Sequence, residues 1–317
     1  SFCDRAQRLA RPKSMLNSSR KSPLTLVRST GLPPALVPYA FLLPAAIALG
    51  LTVFYPACQA IILSFTEYDY DLTEAPHWVG LANFAQLWGD RLFWKSLGQT
   101  VIYLIGVVPI LTFAPLVLAI AVNQKLRGMR WFRAAYYLPV IVSMVVAGIA
   151  WNWLYAENGL LNQILALVGW GPVPWLTQPA IALVSVMAVT IWKGLGYYMV
   201  VYLAGLQTIP ADLYEAAAID GSDGWQRHWD ITLPLMRPYL ALVATISAIS
   251  ASKVFEEVYI MTQGGPRHGT KTIVYYLYEQ AFENLEVSYA CAIGLVLFLI
   301  VLGLSIVRLW LKPANEL

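Results

Sequence analysis

Long apolar segments dominate this chain and limit the folds that it can adopt. A helix needs about 20 apolar residues to cross about 30 Å of hydrocarbon, because each residue adds about 1.5 Å. With 58% hydrophobic and 12% charged residues and a mean hydropathy of +0.59, the composition is that of a membrane protein. Six segments are long enough to span a bilayer: Val37–Ser64, Ser96–Asn123, Ala134–Tyr155, Ala180–Leu206, Tyr239–Met261 and Val287–Leu311. The predicted fold class is all-α, a polytopic membrane protein with six transmembrane helices.

Proline and glycine inside these segments predict bent and closely packed helices. Membrane helices tolerate residues such as Pro109 and Pro139 where neighbours or water satisfy the freed carbonyls, so kinks are expected. Glycine lacks a side chain and lets two helices approach closely. Close packing is expected at four positions: Gly148, Gly194, Gly196 and Gly205.

The distribution of Lys and Arg predicts which side of the membrane each loop occupies. Fifteen of the 21 basic residues lie in the first 36 residues, in Gln124–Arg133, in the loop at about 207–238 and at the C-terminal end. The positive-inside rule places these segments, and both termini, in the cytoplasm. The opposite side holds only Arg91, Lys95, Arg267 and Lys271.

The same pattern predicts three regions along the chain. Residues 1–36 form a basic cytosolic tail with seven Lys and Arg residues and a single acid, Asp4. This tail lacks the apolar core of a signal peptide. It is predicted to be flexible, and contact with anionic lipid is the alternative role. The six-helix domain covers residues 37–313, and residues 314–317 form a C-terminal tail.

The loop at about 207–238 has the composition of a docking element. Pro210 suits a first helical position, since its missing N–H has no partner there. Glu215–Ala218 offers strong helix formers with little bulk, so another surface can approach closely. Gly221 is able to adopt positive φ and end the helix. This half of the loop therefore predicts one short exposed helix.

The second half of the loop predicts another short helix. Asp223 and Gln226 have the spacing of a capping box at its start. Pro234 and Pro238 would end it and begin the next apolar segment. A helix lying on lipid should be rich in Lys and Arg, whereas this loop is acidic and better suits a basic protein groove. Its five acids, against Arg227 and Arg237, are Asp212, Glu215, Asp220, Asp223 and Asp230.

These residues carry a resemblance to a known family. The triplet Glu215-Ala216-Ala217, the glycine at Gly221 and Ile231-Thr232-Leu233-Pro234 resemble the signature loop of permease subunits of binding-protein-dependent ABC importers. Three further segments look like the carbohydrate-uptake branch of that family, which imports maltose, glycerol phosphate and related compounds. They are Tyr137–Tyr155, Tyr202–Gly221 and Lys253–Pro266, and the likeness covers most of Val37–Pro313.

The resemblance implies a type I ABC importer permease fold whose loop is the coupling helix held in a cleft of a cytosolic ATPase. Glu215 would pair with a basic residue of that cleft, Gly221 would form the turn, and the alanines would permit contact. The ATPase-coupling residues are Glu215, Ala216, Ala217, Ala218, Asp220, Gly221, Leu233 and Pro234.

The implied partners are a second, homologous permease forming a heterodimer, two ABC ATPase subunits, an extracytoplasmic substrate-binding protein and membrane lipid, without nucleic acid. The outer loop at Gly264, Gly265 and Pro266, a turn that stops the fifth helix, would contact the binding protein. The implied location is a bacterial or archaeal cytoplasmic (inner) membrane, and the implied substrate cavity lies among spans three to six.

The chain is predicted to be a transport subunit and not an enzyme. It lacks a GxxxxGK[ST] phosphate loop, so it has no usual means of cradling ATP. ATP and Mg²⁺ would be bound by the partner ATPase, and no cofactor by this chain. Cys3, Cys58 and Cys291 are scattered without ligand spacing, so neither a disulfide framework nor a metal site is implied.

Two lysines lie inside predicted spans, where a charge is costly and marks a candidate functional site. Lys253 has Glu256 and Glu257 three and four residues later, so an intrahelical pair is the structural alternative. Lys193 has no acid at helical spacing, so it must snorkel, face water or meet another helix, and a water-filled path is the favoured interpretation.

Sugar sites combine aromatic walls with a few placed polar groups, and the spans supply such residues. The alternative is that the aromatic residues mark the membrane interface. The predicted substrate pathway comprises Trp151, Asn152, Trp153, Trp192, Lys193, Tyr197, Tyr198, Lys253, Glu256 and Tyr259.

Other functions remain open from the sequence. A related importer would carry another small solute, such as a glycerol-phosphate diester, a polyamine or a compatible solute. An ion-coupled secondary carrier would need acids deep in its spans, and these spans contain almost none before Glu256. An intramembrane enzyme would need paired acids or a His and nucleophile constellation at depth.

Overall fold

A computed structural model describes residues 36–68, 76–124 and 127–310. Most of the predicted basic tail at residues 1–36, and the C-terminal tail at residues 314–317, lie outside the described residues. The chain divides into two compact units, Ser1–Pro56 and Ala57–Leu317.

In the first unit, helix α1 covers Val37–Leu49 and continues into a π-helical turn at Gly50–Phe54. Pro38 fits the first turn of α1, and Pro44 lies inside it. A wider turn accommodates backbone irregularity without ending a helix. Tyr55–Leu63 (α2) extends the same helical run, so Val37–Leu63 is one apolar helix of 27 residues.

The remaining elements are almost all helical. The helices are α3 (Ala82–Gly89), α4 (Arg91–Val122), α5 (Met129–Ile141), α6 (Met144–Leu154), α7 (Leu160–Leu167), α8 (Pro179–Leu206), α9 (Ala211–Ile219), α10 (Leu233–Leu235), α11 (Arg237–Ser252), α12 (Glu256–Met261), α13 (Ile273–Tyr278) and α14 (Val287–Trp310). Two π-helical turns, His228–Thr232 and Glu279–Glu283, precede α10 and follow α13. Strands β1 (Thr66–Glu67) and β2 (His77–Trp78) form one short antiparallel pair.

Within the described residues, the apolar helices are consistent with the six predicted spans. Val37–Leu63, Arg91–Val122 and Pro179–Leu206 are each long and apolar enough to cross a membrane without a break. Two more segments are bent pairs, α5 with α6 and the π-turn–α10 segment with α11. Helix α14 contains a shorter apolar stretch, Val287–Gly303, at the position predicted for the sixth span.

The third span, predicted at Ala134–Tyr155 with a kink expected from Pro139, is broken into two helices. Val142 is extended, with ψ of 132°, and the axes of α5 and α6 differ by 100°. Ser143 begins α6 by accepting a hydrogen bond from the Val146 amide. The break, three residues after Pro139, frees the Val142 carbonyl, which needs another donor.

The fifth span is also broken, which corrects the continuous helix predicted for Tyr239–Met261. Helix α11 ends at Ser252, and α12 begins at Glu256. Lys253 therefore lies outside both helices, with φ of −108° and ψ of 17°. The intrahelical pair of Lys253 with Glu256 or Glu257 is wrong, because that pairing needs one uninterrupted helix.

Helices α4, α8 and α11 form the centre of the second unit. Their buried residues include Tyr103 and Val107 of α4, Tyr202 of α8 and Val243 of α11. The close packing predicted at the glycines is confirmed. A Cβ atom on Gly196 would lie 2.0 Å from the Tyr136 carbonyl oxygen, so α8 meets the backbone of α5 without an intervening side chain.

Hydrogen bonds join the elements at the end of the bundle opposite α9. The Asp90 carboxylate, at the start of α4, accepts from the Tyr276 hydroxyl at 2.5 Å and the Tyr289 hydroxyl at 2.7 Å. Partial burial raises the pKa of the Asp90 carboxyl, but these hydrogen bonds and those from backbone amides bring it below its usual value. The contacts tie the start of α4 to α13, which follows the loop at Gly264–Pro266, and to α14.

Candidate functional site

Helix α9 and its termination define the first part of the candidate site. Pro210 is the N-cap and not the first helical residue that was predicted. At the other end, the Gly221 amide donates to Ala218 and the Ser222 amide donates to Ala217, at 3.3 and 2.9 Å. This is a Schellman arrangement, which requires positive φ after the helix. Gly221 has φ of +88°, so its predicted role in ending the helix is confirmed.

The segment after Gly221 differs from the prediction. Asp223 accepts from the adjacent Gly224 amide at 2.6 Å, and the Gln226 amide donates to the Asp223 backbone carbonyl. The predicted capping box is therefore not formed. Pro234 is the next-to-last residue of the helical run His228–Leu235, and Pro238 lies in the first turn of α11, so the short helix ends and the next begins where these prolines were predicted to act.

Side chains brace α9 against the start of the fifth span. The hydroxyls of Tyr214 and Thr232 lie 3.0 Å apart, and His228 Nδ1 is 3.0 Å from the same threonine oxygen. Ser222 donates to the Asp230 carboxylate at 2.6 Å. Thr232 is buried, so α9 is joined through it to the segment that continues into α11.

The outward face of α9 is exposed and carries alanines and carboxylates together with the apolar residues Leu213 and Ile219. Ile219 is 86% exposed. Of the predicted coupling residues, Ala217 and Leu233 are half-buried, and six are exposed: Glu215, Ala216, Ala218, Asp220, Gly221 and Pro234. Short side chains next to carboxylates suit close contact with a basic protein surface.

The second part of the site is a cavity of about 510 Å³ in the membrane bundle. It is lined by α4, α5, α8, α11, the break at Lys253–Phe255 and the start of α12, which belong to the second to fifth spans. The sixth span contributes none of its lining, whereas the resemblance implied spans three to six. Its polar and aromatic lining comprises Tyr103, Thr190, Lys193, Tyr197, Tyr198, Ser247, Ser250, Lys253, Phe255, Glu256 and Glu257.

Lys193 faces this cavity, and the structure explains its position. Its ammonium donates to the Val142 carbonyl at 2.5 Å, the carbonyl that the break in the third span frees. The remaining N–H groups of the ammonium are available to the cavity. A charge at this depth therefore stabilises a backbone break and faces a polar space at the same time.

Glu257 is the residue that the sequence prediction missed. Thr190 donates to its carboxylate at 3.3 Å, and the Tyr103 hydroxyl lies 2.5 Å from the Thr190 hydroxyl. The sequence signal for Glu257 was an acid at membrane depth beside Glu256. Tyr103 and Thr190 carried no such signal, because they lie 87 residues apart in sequence.

Five residues of the predicted pathway line the cavity together: Lys193, Tyr197, Tyr198, Lys253 and Glu256. Lys253, Glu256 and Tyr197 are exposed in the isolated chain. A charged side chain at membrane depth is costly when it faces lipid. The open side of the cavity therefore needs a covering surface or water.

The other five predicted residues lie outside the cavity lining. Trp151 packs edge-to-face on Trp192, with ring centroids 5.5 Å apart. Asn152 donates to the Ile260 carbonyl at 3.2 Å, which ties α6 to α12. Trp153 is 76% exposed. Tyr259 stacks on Phe255, whose ring does line the cavity.

The outer loop is held by its own hydrogen bonds. Thr270 donates to the Gly265 carbonyl at 2.6 Å, and its hydroxyl lies 2.7 Å from that of Thr262. Gly264 is buried, and Gly265 and Pro266 are half-buried. The exposed tip of the loop is therefore Arg267 and His268, one residue beyond the predicted contact.

The arrangement is suited to binding an uncharged polar molecule. Hydroxyl, carboxylate and ammonium groups provide both donors and acceptors. Tyrosine and phenylalanine rings provide flat apolar surfaces against which C–H groups can pack. Two lysines and two glutamates balance in formal charge, so the cavity does not select an ion of one sign.

Known proteins are similar to this chain in sequence and fold. The family model described as "Binding-protein-dependent transport system inner membrane component" matches residues 84–314. The arabinooligosaccharides transport system permease protein AraP of Halalkalibacterium halodurans is 34% identical, over 88% of this chain and 88% of that protein. The lactose transport system permease protein LacF of Rhizobium radiobacter is 33% identical, over 86% of this chain and 92% of that protein.

A solved structure shows the same architecture. The crystal structure of a bacterial alginate ABC transporter, in complex with an alginate pentasaccharide-bound periplasmic protein, contains a matching chain with a TM-score of 0.72 and 26% identity. The match covers 84% of this chain and 91% of that chain.

Proposed function

Since the chain belongs to the family of binding-protein-dependent transport system inner membrane components, we propose that it is a permease subunit of an ATP-driven importer of sugars, oligosaccharides or polyols. The observation that carries the proposal is the cavity of about 510 Å³, whose lining joins aromatic rings, hydroxyls and balanced charges. A relative that transports arabinooligosaccharides and another that transports lactose support this substrate class.

The energy for transport comes from partner ATPases that grip α9. Helix α9 follows α8 and is braced through Thr232 to the start of α11. Both α8 and α11 line the cavity. A displacement of α9 by a closing ATPase would therefore move two cavity walls together. Transport follows when ATP binding favours one of two cavity orientations over the other.

A second permease covers the open side of the cavity. Lys253 and Glu256 are exposed on the fifth span, and lipid is a poor environment for either charge. A related subunit that faces these residues across a water-filled path satisfies them. By the distribution of basic residues, we place both termini and α9 in the cytoplasm and the loop at Gly264–Pro266 outside, towards a substrate-binding protein.

ATPase measurements test this division of labour. The purified chain alone is expected to show no ATP hydrolysis above background. Co-purification with its two ATPases and the second permease should restore hydrolysis that the sugar-loaded binding protein stimulates. ATP hydrolysis by the lone chain, or an assembled complex in proteoliposomes that takes up no sugar in the presence of its binding protein, would refute the proposal.

Replacing Glu257 by Gln is expected to reduce sugar uptake about tenfold or more. The variant loses the charge of the carboxylate that accepts a hydrogen bond from the substrate, and a hydrogen bond to a charged group contributes about 1.5–3 kcal/mol. The substitution keeps the size of the side chain and the Thr190 contact. Glu257 lines the cavity and is not part of α9, the predicted ATPase contact. Basal ATP hydrolysis should therefore remain. Uptake of labelled sugar into proteoliposomes measures the effect.

The matched control is Glu157→Gln, which changes an exposed acid outside the cavity lining and should leave uptake unchanged. If Glu257→Gln transports at the wild-type rate while the complex is intact, this carboxylate does not contact the substrate.

A further inference from the structure

A second groove, of about 470 Å³, lies between α4 and α8 beneath the outer loop. It is separate from the transport cavity and has two different ends. Lys95, Gln99 and Arg267 form the polar end, and Ile102, Val184 and Met187 belong to the apolar part. The groove therefore has the amphipathic lining that a lipid needs.

The polar end contains two cations without an acidic partner among the described residues. Lys95 donates one hydrogen bond to the Arg267 carbonyl at 2.7 Å, which leaves the rest of its ammonium and the Arg267 guanidinium available. Both side chains are exposed. By contrast, the nearby Lys271 is buried and paired with Glu279 at 2.5 Å. The groove therefore carries a local positive charge of about two.

The loop that contains Arg267 packs closely against the first residue of α8. A Cβ atom on Gly269 would lie 2.9 Å from Cβ of Pro179, the first residue of α8. The Gly269 amide also donates to the Pro266 carbonyl at 2.8 Å. These contacts place the Arg267 backbone next to Lys95, so the two cations share one end of the groove.

The apolar end extends along the membrane-spanning helices. Ile102 follows Lys95 by seven residues on α4, which is about 10 Å along a helix. Ile102 is 53% exposed and Val184 is 59% exposed, although both side chains are apolar. The pair of cations matches the headgroup region of a phospholipid. The exposed apolar groups, one to two helical turns further into the membrane, match its acyl region.

We propose that this groove binds one anionic phospholipid, with its phosphate between Lys95 and Arg267 and an acyl chain along Ile102 and Val184. The acidic surface of a soluble binding protein is the other chemistry that could meet the cations. The apolar end favours lipid, because a soluble partner would not reach groups at hydrocarbon depth. The lipid would also hold the outer loop to the α4–α8 pair.

The test measures how many phosphatidylglycerol molecules stay bound to the assembled transporter. The complex is purified in detergent, titrated with phosphatidylglycerol in a phosphatidylcholine background, and examined by native mass spectrometry. Lys95→Ala combined with Arg267→Ala is expected to weaken phosphatidylglycerol retention about tenfold or more, since each cation near an anionic headgroup contributes to binding. Val184→Gln, which leaves both cations, should also reduce retention.

Arg91→Ala is the matched control, since Arg91 is also an exposed cation on α4 but does not line the groove. Its retention of phosphatidylglycerol should equal that of the wild type. Equal loss in the control and the double variant, or full retention in the double variant, overturns the proposal. So does a double variant that keeps its lipid but loses affinity for the binding protein, because the cations would then serve protein docking.

Discussion

Replacing Glu215 by Lys is expected to abolish sugar uptake while leaving the chain folded in the membrane. Glu215 is exposed near the middle of α9, beside alanines that leave room for a partner. Reversing one charge of a pair that becomes buried in an interface costs about 2–5 kcal/mol or more. The expected result is uptake below about 5% of wild type and loss of ATPase subunits on co-purification.

The fold itself should tolerate this change. Surface substitutions away from caps and cores usually alter the free energy of unfolding by less than about 0.5 kcal/mol. Lysine is also a good helix former, so the substitution keeps the helix propensity of α9. Yield, detergent melting temperature and membrane insertion of Glu215→Lys should match the wild type.

Two comparisons make the Glu215 result specific. Glu157→Lys reverses an exposed charge outside the coupling loop and should retain both uptake and the ATPase. Reversing the basic residue that faces α9 in the ATPase should partly restore uptake with Glu215→Lys. Wild-type uptake by a stable complex that carries Glu215→Lys would show that this carboxylate is not the docking contact.

Replacing Gly196 by Ala is expected to have the largest effect on folding. The new Cβ would lie 2.0 Å from the Tyr136 oxygen, 2.9 Å from the Tyr136 carbonyl carbon and 3.0 Å from the Tyr137 Cα. These are backbone atoms, so no side-chain rotation relieves the clash. Overpacking typically costs about 1–3 kcal/mol and more where the surroundings are rigid. We expect a destabilisation of about 3 kcal/mol or more, with loss of monodisperse protein and a lower melting temperature in detergent.

Gly98→Ala provides the control for the helix backbone itself. Gly98 lies in α4, and a Cβ there would meet no atom within 4 Å. Alanine is favoured over glycine in a helix by about 1 kcal/mol, so this variant should be as stable as the wild type or more stable. A Gly196→Ala protein with wild-type melting behaviour would show that α5 and α8 do not meet at this glycine.

The sequence predicted the local features of the molecule well. The all-α class and the ABC importer permease family are confirmed by the helical content of the described residues, the family match and the crystal-structure likeness. The end of α9 at Gly221 was also predictable, because a Schellman turn depends on a few adjacent residues. The coupling, pathway and outer-loop assignments stay predictions that the experiments above address.

The errors lie where distant residues compete with local preference. Pro139 indicated a kink in the third span, but nothing in the sequence predicted that the helix would break at Val142, with an angle of 100° between α5 and α6. The donor for the freed carbonyl is Lys193, 51 residues later. In the fifth span, Lys253 and Glu256 have the spacing of a helical pair, but the chain leaves the helix at Lys253. Asp223 and Gln226 likewise have capping-box spacing, yet Asp223 bonds the next amide instead.

The sequence by itself determined that the chain is a multi-pass membrane protein, approximately where its apolar segments lie, and that α9 ends at Gly221. Membrane insertion depends on the apolar side chains within one segment, and a short helix depends on a few adjacent residues. Composition and spacing are therefore enough to predict both features. Only the tertiary structure decided where the spans break, that Glu257, Thr190 and Tyr103 meet in one cavity, and that Lys95 and Arg267 share a groove. Those features depend on contacts between residues far apart in the chain, which a linear pattern does not record.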